Sequence, residues 1–168
     1  AKNVMSAVEV LGAMGDDEPL DMAGKNVVVV GGGNVAMDAS RTCLRLGARS
    51  VKVVYRRRQS DMTALPMEIQ GAIAEGVELV TLQAPVEILT DENNAARAVK
   101  VKPQIPGEYR GGRPAPRNAE LPAEEIPATA DTDAYTKYTT YVLGEGSVVR
   151  SSRSATRVEP YLATNWNE

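Results

Sequence analysis

Two short runs hold residue types suited to binding chemistry. The first is Gly31–Gly32–Gly33–Asn34–Val35–Ala36, and the second is Tyr55–Arg56–Arg57–Arg58. Gly31, Gly33 and Ala36 fill the three small positions of the pattern G-x-G-x-x-G/A. In that pattern the first glycine permits a tight turn. The second lets a pyrophosphate approach the backbone, and the third small residue lets the helix pack close to its strand. The free N–H groups at the helix start then face the phosphates. The arginines of the second run suit a further phosphate, because a guanidinium pairs with its oxygens in a bidentate fork. A site for NAD places Asp or Glu about 20 residues past the glycines, to hold the ribose 2′-hydroxyl. Arginines there favour the 2′-phosphate of NADPH, which a carboxylate would repel. Asp61 follows but lies beyond the arginines and does not restore the NAD pattern. The candidate cofactor-binding set is therefore Gly31, Gly32, Gly33, Asn34, Val35, Ala36, Tyr55, Arg56 and Arg57. The competing bland readings are a glycine-rich turn and a solvated basic turn.

The elements that must position these runs are legible around them. Val27 to Val30 are four consecutive valines, which suits a strand buried on both faces. After the glycines, Val35, Ala39, Cys43 and Leu46 share one helical face, and Gly47 stops the helix. Val51 to Tyr55 reads as the second strand and completes a βαβ unit of about 30 residues. Pro66 opens a helix that runs to about Glu75 and closes at Gly76, with Met67, Ile69, Ala72 and Ile73 as its apolar stripe. Leu79 to Leu82 reads as a third strand. Val86 to Leu89, a turn at Asp91–Asn94, and Ala98 to Lys102 then read as an antiparallel hairpin, with Lys100 and Lys102 on its wet face. Pro103 to Pro122 is rich in Pro, Gly and Arg and predicts a long loop, and Leu121 to Ile126 a returning strand. Ahead of all this, Asn3 to Met14 reads as a helix capped by Asn3, with Val4, Ala7, Val8 and Leu11 on one face and Gly15 at its end. An acidic linker, Asp16–Pro19, follows. The expected fold is α/β: a Rossmann-like parallel sheet with helices on both faces and an antiparallel β-meander.

Composition narrows the function classes. The chain has 168 residues, 43% hydrophobic and 24% charged, with no phenylalanine and a net charge of −3. That suits one domain, or one with a short appendage, around an aliphatic core. The net negative charge argues against nucleic acid as a partner. No apolar run approaches the roughly 20 residues of a membrane span, and no signal peptide opens the sequence. A single cysteine, Cys43, makes no internal disulfide and fits a cytoplasmic location. It falls on the inner face of the fingerprint helix and reads as a small buried hydrophobe. The chain contains no histidine, which removes the commonest general base and neutral metal ligand. No catalytic residue and no metal ligand is assigned.

Four segments together resemble one family. They are Gly31 to Arg41, Leu44–Gly47, Val54–Arg57 and Ala84–Ile88. The chain resembles, over roughly residues 3 to 127, the NADPH-binding domain of glutamate synthase small subunits. Relatives include the flavoprotein parts of dihydropyrimidine dehydrogenase and of selenate reductase-like proteins. The resemblance implies an NADPH domain inserted into an FAD domain of the same polypeptide. It implies hydride transfer from NADPH to flavin, then electron transfer through iron–sulfur clusters to a large catalytic subunit or domain. It assigns the pyrophosphate to Gly31, Gly33, Asn34, Val35 and Ala36, and the 2′-phosphate to Arg56 and Arg57. On this reading residues 1–24 are a helix and linker from a preceding FAD domain. Residues 25–132 form the NADPH-binding domain, with the meander at 84–127, and residues 133–168 return towards the FAD domain.

The sequence departs from the family in three places. It holds no second glycine fingerprint for FAD and no cysteine cluster, as expected of an excised domain. The family's buried strand after the meander has no counterpart at Ala128–Thr132, where residues look missing near Thr132–Asp133. Tyr141 to Gly146 resembles the segment that rejoins the FAD domain. Two other classes stay open at this point. One is a free-standing NADPH sensor without turnover, since fold alone does not imply catalysis. The other is a methyltransferase-like domain, against which Tyr55–Arg56–Arg57 argues, because such a site calls for an acidic residue at that place.

Overall fold

The computed structural model describes residues 1–13, 20–128 and 141–143. In chain order its elements are β1 Val4–Ser6, α1 Ala7–Gly12, β2 Asn26–Val30, α2 Asn34–Arg45, β3 Ser50–Tyr55, α3 Pro66–Glu75, β4 Glu78–Thr81, β5 Gln83–Thr90, β6 Ala96–Arg110, β7 Arg113–Asn118, β8 Glu124–Pro127 and β9 Tyr141–Leu143. One sheet has the order β1-β9-β2-β3-β4, and each neighbouring pair in it is parallel. The second sheet is antiparallel and is built on β6, which pairs with β5, β7 and β8.

The four valines of β2 are buried on both faces because the two sides of the parallel sheet are covered by different layers. Val27 and Val29, with Val51 and Val53 of β3, pack under α1, α2 and α3 through Val10, Met37, Ala39 and Ile69. Val28 and Val54 pack on the other side against Ala96, Val99, Val101 and Ile126 of the antiparallel sheet. Burying each of these valines contributes about 1.5–3 kcal/mol relative to leaving it in water. The expected α/β class, parallel sheet and meander are therefore what forms. The layering differs in one respect: among the described residues α1, α2 and α3 share one face, and the meander alone covers the other.

Three local expectations are corrected. The first helix does not start at Asn3. Residues Val4–Ser6 form a strand, Asn3 sits at φ 66°, and Ser6 caps α1 in a reciprocal box with Glu9. Its buried residues are Ala7 and Val10, while Val8 is 55% exposed. In α3 the buried stripe narrows to Ile69 and Ala72, and Met67 is 72% exposed. The third correction is the largest. The segment expected as a loop from Pro103 is the far half of β6, which turns at Gly111–Gly112 into β7. Both glycines have positive φ, 58° and 81°, as a two-residue hairpin turn requires. The prolines are tolerated because of register. The Gln104 N–H points away from β7, to Leu82 O at 2.8 Å. Pairing alternates along an antiparallel ladder, so the opposed Pro106 and Pro116 fall where no ladder N–H is needed.

Tyr141–Leu143, read from the sequence as part of a returning segment, forms a strand that lies between β1 and β2. The expected helix end at Met14–Gly15, the Asp16–Pro19 linker, Thr132–Asp133 and Gly144–Gly146 lie outside the described residues.

Candidate nucleotide-binding site

The glycine run forms the turn between β2 and α2, at the carboxyl end of the parallel strands. Gly31 has φ 142°, in the region that favours glycine, and its N–H donates to Val54 O at 3.0 Å. Gly32 is pressed against the ring of Tyr55. A Cβ there would stand 2.6 Å from Cε2 and 2.7 Å from Cδ2. The Gly32 carbonyl accepts the N–H groups of Thr63 and Ala64, both at 3.0 Å. Gly33 is the N-cap of α2 in extended conformation, and its carbonyl accepts from Ala36 N at 3.0 Å and Met37 N at 3.2 Å. No side chain caps this helix. The N–H groups of Asn34 and Val35 open it and have no carbonyl within the helix to bond. Together with the helix dipole they favour an anion.

The expected residues thus divide by role. Asn34 is exposed, but its Oδ1 accepts Leu65 N at 2.8 Å, so its side chain ties the 63–65 segment to the loop. Ala36 is fully buried and serves helix packing. Val35 is half-buried and packs against the core.

The arginine run ends β3. Val54 pairs with Val30, so this turn and the glycine loop lie side by side at the carboxyl ends of two neighbouring strands. The chain leaves β2 for β3 on one side, while β9 flanks β2 on the other. This is the crevice at a change of winding direction where open α/β sheets take ligands. Tyr55 is only 8% exposed, and its hydroxyl donates to Asp61 O at 2.9 Å. Arg58 clasps the Asp61 carboxylate through Nε at 2.8 Å and Nη2 at 3.1 Å, and its backbone N–H adds a third bond at 3.2 Å. These hydrogen bonds hold the Asp61 carboxyl below its ordinary range and raise Arg58. Asp61 therefore offsets the charge of Arg58, and Arg56, Arg57 and Arg58 line one concavity with it. Arg57 donates through Nε to Pro114 O at 2.9 Å, and its carbonyl accepts Leu82 N at 3.0 Å. Arg56, half-buried, lines the same concavity as Arg57, Leu82, Ile105 and Pro114.

Sequence reasoning missed Asp61, Pro114 and Tyr109 as parts of this site. Asp61 had a local signal, a carboxylate three residues after Arg58. Pro114 and Tyr109 had none, because they arrive on the hairpin. Cys43 is fully buried, and burial pushes its thiol up to about 12, so it is inert at neutral pH. Among the described residues no group of three His, Cys, Asp or Glu side chains could hold a metal ion.

The family described as pyridine nucleotide-disulphide oxidoreductase matches residues 2–110. The chain is 45% identical over 83 residues to the glutamate synthase (NADPH) small chain of Azospirillum brasilense, covering 49% of this chain and 17% of that one. It is 41% identical over 97 residues to the NADP(+)-dependent formate dehydrogenase subunit beta of Moorella thermoacetica, covering 56% and 14%. With the Escherichia coli glutamate synthase (NADPH) small chain it shares 36% over 117 residues, covering 66% and 25%. The chain thus spans a quarter or less of these relatives. Among solved structures, Mycobacterium tuberculosis FprA in complex with NADPH superposes with a TM-score of 0.60 at 17% identity, covering 84% of this chain and 44% of that one. Lactococcus lactis thioredoxin reductase gives 0.55 at 18%, covering 84% and 36%. At such identities the superpositions show a shared fold. The family match takes in the glycine loop, the arginine turn and β6 as one continuous stretch, and the chain belongs to the pyridine nucleotide-disulphide oxidoreductase family.

Proposed function

We propose that this chain is the NADPH-binding module of a flavin-dependent oxidoreductase. It presents the dinucleotide to an FAD domain of the same polypeptide, and electrons then pass to iron–sulfur centres of a partner subunit or domain. A cytoplasmic location belongs to the same proposal; among the described residues no helix is long and apolar enough to cross a membrane. The observation that carries the reading is the pairing of an uncapped helix N-terminus with an arginine turn on the adjacent strand.

The residues fit the cofactor. The Asn34 and Val35 N–H groups, at a helix start that no side chain caps, offer donors to a pyrophosphate. Arg56 and Arg57 bind the 2′-phosphate, with the charge of Arg58 offset by Asp61. A bound NADPH supplies a hydride for flavin, and the cofactors carry that chemistry. The chain's residues bind and orient, and none has to move a proton. The absence of histidine is consistent with such a division.

The test is a calorimetric titration with NADPH and NADH side by side. The chain is expected to prefer NADPH. Arg56→Ala or Arg57→Ala should weaken NADPH about tenfold or more, as the loss of a charge-assisted contact does, and leave NADH nearly unchanged. Equal losses for the two nucleotides would refute the 2′-phosphate role.

A further inference from the structure

The β6–β7 hairpin reaches the arginine turn from outside the parallel sheet. Resting on the NADPH reading above, we infer that this hairpin is the positioning element for the 2′-phosphate site: the Pro114 carbonyl aims Arg57, and the hairpin thereby sets the preference for NADPH over NADH.

Four observations carry this. First, Arg57 Nε donates to Pro114 O at 2.9 Å. That bond occupies one edge of the guanidinium and fixes its plane, leaving the two terminal nitrogens to serve a phosphate as a fork. Second, the Pro114 carbonyl is available for structural reasons. Arg110 and Arg113 flank the two-glycine turn, and Tyr109 pairs with Pro114 one step further along. Alternation in the ladder turns the Pro114 carbonyl away from β6, towards the arginine turn. Third, the base of the hairpin is tied to the same turn through Leu82, which is held at φ 57°. Its N–H donates to Arg57 O at 3.0 Å, and its carbonyl accepts Gln104 N at 2.8 Å. A branched residue in the left-handed region persists only where its surroundings over-determine it. Fourth, the neighbouring Arg58, clasped by Asp61, also reaches the Tyr109 hydroxyl at 3.4 Å. One hairpin thus contacts two consecutive arginines and is tied through Leu82 to the backbone of one of them.

The consequence is a division of labour. The glycine loop serves the pyrophosphate common to both nucleotides, and the hairpin serves only the group that distinguishes them. Pro114 acts through Arg57 and is a positioning residue, so its loss should change selectivity without abolishing binding.

Two variants test this in the 168-residue chain. In the first, residues 106–116 are replaced by Asn-Gly, joining the paired Ile105 and Arg117. In the second, Gly107→Ala places a Cβ 2.4 Å from Ala115 O, which must push β7 aside next to Pro114. Melting curves show that each variant folds, and calorimetry gives the affinities for NADPH and NADH. The expected result is a loss of about tenfold in NADPH affinity for the shortened hairpin, several-fold for Gly107→Ala, and little change for NADH. Unchanged NADPH affinity in a folded variant, or equal loss for both nucleotides, overturns the inference and leaves the cofactor reading intact. If the unaltered chain itself shows no preference for NADPH, the cofactor reading fails and the inference falls with it. Should the shortened chain not fold, Gly107→Ala alone decides.

Discussion

Gly32 sits where the demands of the loop are tightest. A methyl group there meets the Tyr55 ring at 2.6 Å, and the ring has no room to yield. It is 8% exposed, and its hydroxyl is held by Asp61 O. Gly32→Ala should therefore destabilise the fold by about 1–3 kcal/mol, as overpacking does. It should also lift the loop and weaken NADPH and NADH alike, in contrast to the arginine variants, which separate the two. Combining it with Tyr55→Leu, which removes the obstructing ring, should restore part of both losses. Melting curves and paired titrations check this, and an alanine variant with unchanged stability and affinity would show that the contact is relieved at no cost. This residue also marks how far the sequence could be read. The pattern G-x-G-x-x-G/A singled out Gly31, Gly33 and Ala36, and left Gly32 as a position of any type. Its constraint comes from a ring on the next strand, so it has no local signature. The arginine run at the end of β3 was legible from type and place, but the bonds that tie Arg58 to Asp61 and Tyr109 and Arg57 to Pro114 depend on the fold.

At the scale of elements, α2 and α3 are joined by a small ionic network. Arg41 of α2 donates to Glu68 at 2.7 Å and to Glu75 at 2.8 Å, and Arg45 adds a bond to Glu75 at 2.7 Å. The network anchors the helix whose N-terminal approach, residues 63–65, is tied to the glycine loop through Gly32 O and Asn34 Oδ1. Hydrogen bonds from Arg45 and Arg41 hold the Glu75 carboxyl below its ordinary range. A carboxyl with a depressed folded-state value adds stability that is present above the unfolded value, about 4.3, and is lost as pH falls through the folded one. Glu75→Gln should thus melt below the unaltered chain at pH 7. The gap should close as the solution is acidified below about pH 4, and narrow in about 0.5 M salt, because these side chains are only partly shielded. A gap that persists in acid would assign the loss to packing instead. The α3 boundaries were legible because their causes are local: Pro66 at the first turn and Gly76 at φ 105°. The β6–β7 hairpin was not, since proline content reads as a loop unless the pairing register is known. The same limit applied to β1, whose partner β9 lies far along the chain.

For the whole molecule, the parallel sheet divides the chain into two layers. Helices pack on one side through Val27 and Val29, and the meander packs on the other through Val28 and Val54. The glycine loop and the arginine turn emerge together at one end of this sandwich, and the proposed site is made wholly of residues from this chain. No residue of it is assigned to flavin, and the chain spans about a quarter or less of the curated relatives it matches. Binding and turnover should therefore separate by length. The 168-residue chain should be colourless and bind NADPH without oxidising it, while a longer product with the flanking segments should carry flavin that NADPH bleaches. Absorbance in the flavin band and at the nicotinamide band, followed together on both proteins, makes the comparison. Oxidation of NADPH by the short chain without added flavin would overturn the division between binding module and redox partner. A longer product that binds NADPH tightly but holds no flavin would instead identify a nucleotide sensor. The same glycine loop and arginine turn would then report NADPH rather than present it, because the geometry that binds the dinucleotide is indifferent to what receives its hydride.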